Sequence, residues 1–212
     1  MTGPSGAIAR RSLAGAAVLA LAACSRLFVA TPPGKLYRLS PVDGFSPRLR
    51  PVAATLIIDL PQATPGIDTR RIALSRSPIS LDYYADAEWT DPVPELMQNL
   101  LLDSFENSGA IITTDRFAGL RADFLLRTEI RHFEAEYGAG SESPRARVAI
   151  IARLVGLPRR AIISQRQFDE RAAAAANDVP AVVTAFDTAT TEVLRGVVLW
   201  TLGDPALSQS HR

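Results

Sequence analysis

From position 93 the apolar residues Val93, Leu96, Met97, Leu100, Leu101 and Phe105 recur every three or four places, which lines one face of a helix. Asp91 is placed to cap its start, Pro92 and Pro94 fall in the first turn where a missing N–H costs little, and Gly109 supplies a stop. The same period returns from Asp178 to Leu202, through Val179, Val182, Val183, Phe186, Ala189, Val193, Val197 and Trp200, and Gly203-Asp204-Pro205 ends it. Between the two helices the period drops to two. Residues 122–136 alternate through Phe124, Leu126, Thr128 and Ile130, residues 145–157 through Val148, Ile150, Ala152 and Leu154, and residues 161–171 form a third extended segment. Their turns, Gly138-Ala139-Gly140-Ser141 and Gly156-Leu157-Pro158, are short enough to predict an antiparallel meander. Upstream, Ala54 to Leu60 is an apolar strand stopped by Pro61, Arg71 to Arg76 and Ile79 to Tyr84 are extended pieces broken at Pro78, and Ala110 to Thr114 is a short strand. The alanines 172–176 fit either a further helical turn or a loop. These elements predict an α+β fold, an antiparallel-rich mixed sheet with two amphipathic helices packed on one face.

The N-terminal pattern is different. Arg10 and Arg11 precede a twelve-residue apolar run, Ser12 to Ala23, that ends in small side chains, which is signal-peptide anatomy. A spanning helix needs about 20 apolar residues, so this run is too short to cross a bilayer. Leu21-Ala22-Ala23-Cys24 resembles the lipobox of bacterial lipoproteins, in which the cysteine thiol receives a diacylglycerol, the chain is cut before it, and the new amino group is acylated. Two or three acyl chains anchor a protein stably where one does so only marginally. The alternative is an ordinary signal peptide in which Cys24 is merely a small residue at the cut. Ser25 follows, and by resemblance to the sorting rule that retains Asp-bearing lipoproteins at the inner membrane it favours the outer one. The division expected is a signal peptide over 1–23, lipidated cysteine and tether over 24–35, a folded domain over 36–203 and a C-terminal tail over 204–212. Ser25 to Lys35 carries Pro32-Pro33-Gly34, which interrupts helix and strand alike, and at 3.3–3.6 Å per residue it lets the domain stand only about 35–40 Å from its membrane.

Charge and composition narrow the chemistry. With 23 Lys+Arg against 22 Asp+Glu there is no surplus to hold a polyanion, so nucleic acid is not an expected partner. The single cysteine excludes an internal disulfide or a multi-cysteine metal site. No nucleophile elbow, phosphate loop or H-E-x-x-H pair occurs, and neither a catalytic residue, a metal nor a cofactor is expected. His132 shares strand parity with Thr128 and Ile130 and is expected as a satisfied histidine near a strand end. Glu134 and Glu136 share a face, which fits paired carboxylates or, more simply, a solvated strand edge. Arg153, Arg159, Arg160 and Arg166 gather around one hairpin and fit a solvated face or a surface for lipid headgroups or an acidic partner.

Lys35-Leu36-Tyr37-Arg38-Leu39, the strand ending in Pro61, Leu81-Asp82-Tyr83-Tyr84 and Glu88-Trp89-Thr90-Asp91-Pro92 together resemble the ABC-type transport auxiliary lipoprotein family, over roughly residues 35–203. That resemblance implies an accessory lipoprotein of an MCE-type ABC transport system for phospholipid or other lipid. It would bind the periplasmic MCE-family protein and its ABC permease/ATPase and be held to the membrane through acyl chains on Cys24. Tyr83, Tyr84 and Trp89 are then candidate partner contacts, although aromatics here also fit simple cover for the start of the first helix. Adjacent tyrosines on a strand point to opposite faces, so both are core only if both faces are covered. A lipid carrier holding an acyl chain between sheet and helices is the alternative, and it calls for an apolar cavity of at least about 300 Å³ lined by residues such as Leu100, Phe124 and Leu126. Self-association is left open.

Overall fold

Among the described residues eight strands and three helices are formed in the order β1 (Lys35–Tyr37), β2 (Thr55–Ile58), β3 (Arg71–Ser75), β4 (Asp82–Trp89), α1 (Val93–Ser108), β5 (Ile112–Thr114), β6 (Phe124–Glu136), β7 (Arg145–Gly156), β8 (Ala161–Ala173), α2 (Val179–Leu202) and α3 (Pro205–Gln209). The computed structural model describes residues 34–45, 49–115, 121–138, 142–157 and 159–209. Cys24, the signal segment and the tether up to Pro33 lie outside the described residues.

The long strand β6 organises the sheet. Along one side it pairs antiparallel with the whole of β7, which pairs in turn with β8, giving the expected meander. Its other side is shared: β2 runs parallel to its start, with Leu56 opposite Phe124, and β3 parallel to its end, with Leu74 opposite Ala135. The connection between β2 and β3 stays on the strand, Gln62 receiving a hydrogen bond from Ile130 N–H and donating its own N–H to Thr128. β5 closes beyond β2, while β4 and then β1 extend the sheet beyond β3.

A bulge between Ile130 and His132 changes which side chains face the core. Before it Phe124, Leu126, Thr128 and Ile130 point inward; after it Phe133 and Ala135 do. His132 therefore joins Glu134 and Glu136 on the helix-free face, correcting the expected parity with Thr128 and Ile130. Those two glutamates also do not lie at an edge, because β6 is flanked by β3 and β7 there.

Both long helices pack on the other face, in one continuous apolar core with the inward residues of β2, β6 and β7. Asp178 caps α2 by accepting from Ala181 N–H at 2.8 Å. Asp91, in contrast, does not cap α1: the cap position is Pro92, without a side-chain bond, and Asp91 instead lies 3.9 Å from Arg70. At the other end of α1 Gly109 has φ 61°, the left-handed stop that glycine adopts without strain. The alanines from 172 begin as strand, β8 reaching Ala173, and Ala174 N–H then bonds Pro144 C=O. Past α2, where the pattern suggests a tail, α3 forms and seats Leu207 at 2% exposure in the core.

Candidate functional site

The aromatic motif is carried by β4 and the hairpin that leads into it. β4 pairs antiparallel with β3, but Arg71 faces Glu88 and Ala73 faces Tyr83, so β4 spends extra residues crossing that interval. The slack is taken up at Asp86, whose φ is 54°. Gly34 sits against this kink, where a Cβ would come within 3.1 Å of the Asp86 carbonyl carbon, so the chain enters β1 at a point that only glycine fits without movement.

Trp89 is fully buried. Its ring meets Phe133 edge-on at 5.8 Å and Phe186 at 5.3 Å, and those two lie 5.1 Å apart, so one side chain each from β4, β6 and α2 forms the centre of the core. Its Nε1–H has no hydrogen-bond partner among the described residues. Trp89 is consequently a core residue, and its place among the partner contacts is corrected.

The two tyrosines divide as strand geometry requires. Tyr83 lies under the Arg71 guanidinium, 3.8 Å from the ring centroid, and donates its hydroxyl to Gly66 C=O at 3.0 Å. Tyr84 packs on the core side and meets Tyr137 through their hydroxyls at 3.0 Å. Because Tyr137 donates its proton to Asn177 at 2.7 Å, Tyr84 must be the donor to Tyr137. Burial, then that hydrogen bond, raises the Tyr84 pKa well above the ordinary phenol value, so it stays a neutral donor. Both tyrosines are half-buried, and both brace the β3–β4 hairpin from opposite faces.

What that brace presents is the turn, residues 76–81. Ile79 is 97% exposed at its tip, Leu81 follows, and Leu36 is exposed on β1 at the sheet's edge. Sequence reasoning passed over Ile79; the signal was an isoleucine inside an otherwise polar Ser-Pro-Ile-Ser turn. Beside the turn, Ser75 to Pro78 and the helix-free face of β6 bound a cleft of about 530 Å³.

The profile of the ABC-type transport auxiliary lipoprotein component family matches residues 37–198. The chain belongs to this family. A crystal structure of protein XCC0632 from Xanthomonas campestris is similar, with 28% identity, a TM-score of 0.76, and coverage of 83% of this chain and 97% of that one. Another crystal structure, of an uncharacterized protein, shares the fold at a TM-score of 0.63 with 10% identity, covering 79% and 98% of the two chains. An uncharacterized protein of Bradyrhizobium diazoefficiens, bll6063, is 27% identical over 168 residues, which are 78% of this chain and 44% of that protein, so the chain spans less than half the length of this curated relative. Membership makes the protein a transport auxiliary lipoprotein, tied by family to an ABC transport system and to the cell envelope.

In this auxiliary lipoprotein the cleft floor is an ion-pair network. Glu134, 7% exposed, accepts from Phe133 N–H at 2.7 Å and meets His132 Nδ1 at 2.6 Å. Arg147 forms a fork on Asp169 at 3.0 and 2.7 Å and reaches Glu136 at 3.0 Å, while Arg171 bonds the same two acids. The hydrogen bond from Arg147 holds Asp169 below the usual carboxylate range, and Asp169 raises Arg147 in return. His132, Glu134 and Glu136 place metal-type ligand atoms within 4.8 Å of one another. A cation there would have to share Glu136 with two arginines already 3.0 and 3.3 Å away, so the electrostatics favour the ion pairs.

The residues named for an acyl-chain cavity are core residues among the described ones. Leu100, Phe124 and Leu126 are buried in the continuous core. Three clefts of about 530–580 Å³ open on the surface, and none of the three is lined by those residues. Of the arginines grouped by sequence around one hairpin, Arg153 pairs with Glu129 and Gln165, and Arg166 lies over the Phe168 ring.

Proposed function

We propose that this protein is a membrane-anchored, periplasm-facing accessory subunit of an MCE-type ABC system that moves phospholipid or other lipid across the envelope, and that it acts by protein contact. Acyl chains on Cys24 hold it to a membrane, the outer one by the Ser25 rule, and the β3–β4 hairpin is the part it offers to the MCE-family protein. The observation that carries the reading is a family match over residues 37–198 combined with a hairpin whose Ile79 is 97% exposed yet whose base is locked by Tyr83 and Tyr84. A rigid base presenting an exposed apolar tip loses little entropy on docking.

Two variants test the two halves separately. Cys24→Ala should lose the acyl mass and leave the membrane fraction; an unchanged mass and fractionation would refute the anchor. Ile79→Asp, with Cys24 intact, should stay in the membrane fraction and fold normally but cease to co-purify with the co-expressed MCE-family protein. Undiminished co-purification would remove the hairpin from the interface.

A further inference from the structure

β8 has β7 as its only strand partner among the described residues, so its other edge leaves a row of backbone N–H and C=O groups unpaired. Nine of its thirteen residues are exposed, along about 44 Å of strand, twice the usual length. Long edges are normally blunted by charged side chains, lysine above all, by proline or by bulges, and the charges on β8 are Arg166, Asp169, Glu170 and Arg171. β8 contains neither proline nor lysine, and its one irregularity lies near its start, opposite Leu154 and Val155, leaving Ser164 to Ala173 in regular register.

Charge supplies the second observation. Asp169 and Arg171 are already held in the Arg147 network, and Gln165 bonds Arg153. Arg166 and Glu170 are exposed and make no ion pair among the described residues; Arg166 has only the Phe168 ring, 5.3 Å away. Four residues apart on one face of a strand, they stand about 13–14 Å from each other and cannot pair within one chain. Phe168, midway between them, is turned down onto Trp200 and Gly196 and leaves the edge clear.

We infer that β8 pairs antiparallel with β8 of a second copy of this chain, about a two-fold axis at Phe168. Antiparallel self-pairing brings outward-facing backbone groups together only when the axis passes through a residue, and an axis at Phe168 keeps nine residues, 164–172, of the regular stretch paired. In that register Arg166 lies opposite Glu170 of the second copy, and the symmetry repeats the pair. Gln167 then faces Asp169, Gln165 faces Arg171, and the two meanders join into one continuous sheet.

The test is sedimentation equilibrium of the full chain in density-matched detergent, with far-UV circular dichroism as the check on folding. The wild type should dimerise reversibly. Arg166→Glu and Glu170→Arg should each weaken the dimer on the order of tenfold or more, because each places two like-charged pairs across the axis, and the double variant should recover it. Should a charge-reversed variant fold poorly, Arg166→Gln and Glu170→Gln give the same ranking with smaller effects. A wild type that stays monomeric, which is what edge-guarding charges would produce, overturns the inference. So do single variants with undiminished dimerisation, or a double variant no better than the singles.

Discussion

Removing the Trp89 side chain separates a core role from a contact role. Trp89→Ala empties the junction of β4, β6 and α2, where Phe133 and Phe186 lose a ring 5.8 and 5.3 Å away. Large-to-small truncation of a buried tryptophan costs about 3–5 kcal/mol, with the lost ring pairs included in that figure because the terms are not additive. A domain of ordinary stability, about 5–15 kcal/mol, loses about a fifth or more of its margin. Trp89→Phe keeps an edge-on ring and removes a buried N–H that has no partner among the described residues, so it should cost under about 1.5 kcal/mol. Urea unfolding followed by circular dichroism reads both through the midpoint at constant slope. If Trp89→Ala unfolds at the wild-type midpoint while transporter binding is lost, the assignment of Trp89 to the core is refuted.

Three further outcomes are expected. Because the folded Asp169 pKa is depressed, its stabilising contribution is present above the unfolded carboxylate value and is lost as pH falls through the folded one; wild type should exceed Asp169→Asn in urea midpoint at pH 7, with the gap closing in acid, and a pH-independent gap would contradict the ion pair. Gly196→Ala puts a Cβ 2.9 Å from the Phe168 ring, so it should lower the melting temperature through about 1–3 kcal/mol of overpacking and perturb Trp200 fluorescence; an unchanged melting point would mean that Phe168 moves freely. Asp178→Ala removes the bond to Ala181 N–H and should cost about 1 kcal/mol by chemical denaturation, whereas Asp91→Ala, whose residue caps nothing, should cost much less.

The helices and the meander were legible because each rests on a period sustained over ten or more residues, as in Val93 to Phe105 and Arg145 to Leu154. Register was not. A single bulge residue before His132 reverses every later side chain on β6, and no local residue type announces it. The placement of β2 and β3 on the same side of β6 depends on contacts more than 60 residues apart in sequence, which periodicity does not encode. Of the aromatic motif, strand alternation correctly separated Tyr83 from Tyr84, but only the packing of Phe133 and Phe186 around Trp89 decides that the tryptophan is core. Ile79 was hidden for the opposite reason: an exposed isoleucine has no partner pattern to be read.

The central claim, an acylated accessory that presents its β3–β4 turn to a transport partner, is tested most directly by a photo-crosslinking residue at position 79 of the full chain in intact cells that co-express the ABC system. The account predicts a crosslink to the MCE-family subunit that disappears with Cys24→Ala, while the same probe at Gln98, half-buried and bonded to Ile58 C=O, gives none. No crosslink from position 79 beside an efficient one from the helix-free face, at Arg131, would contradict it.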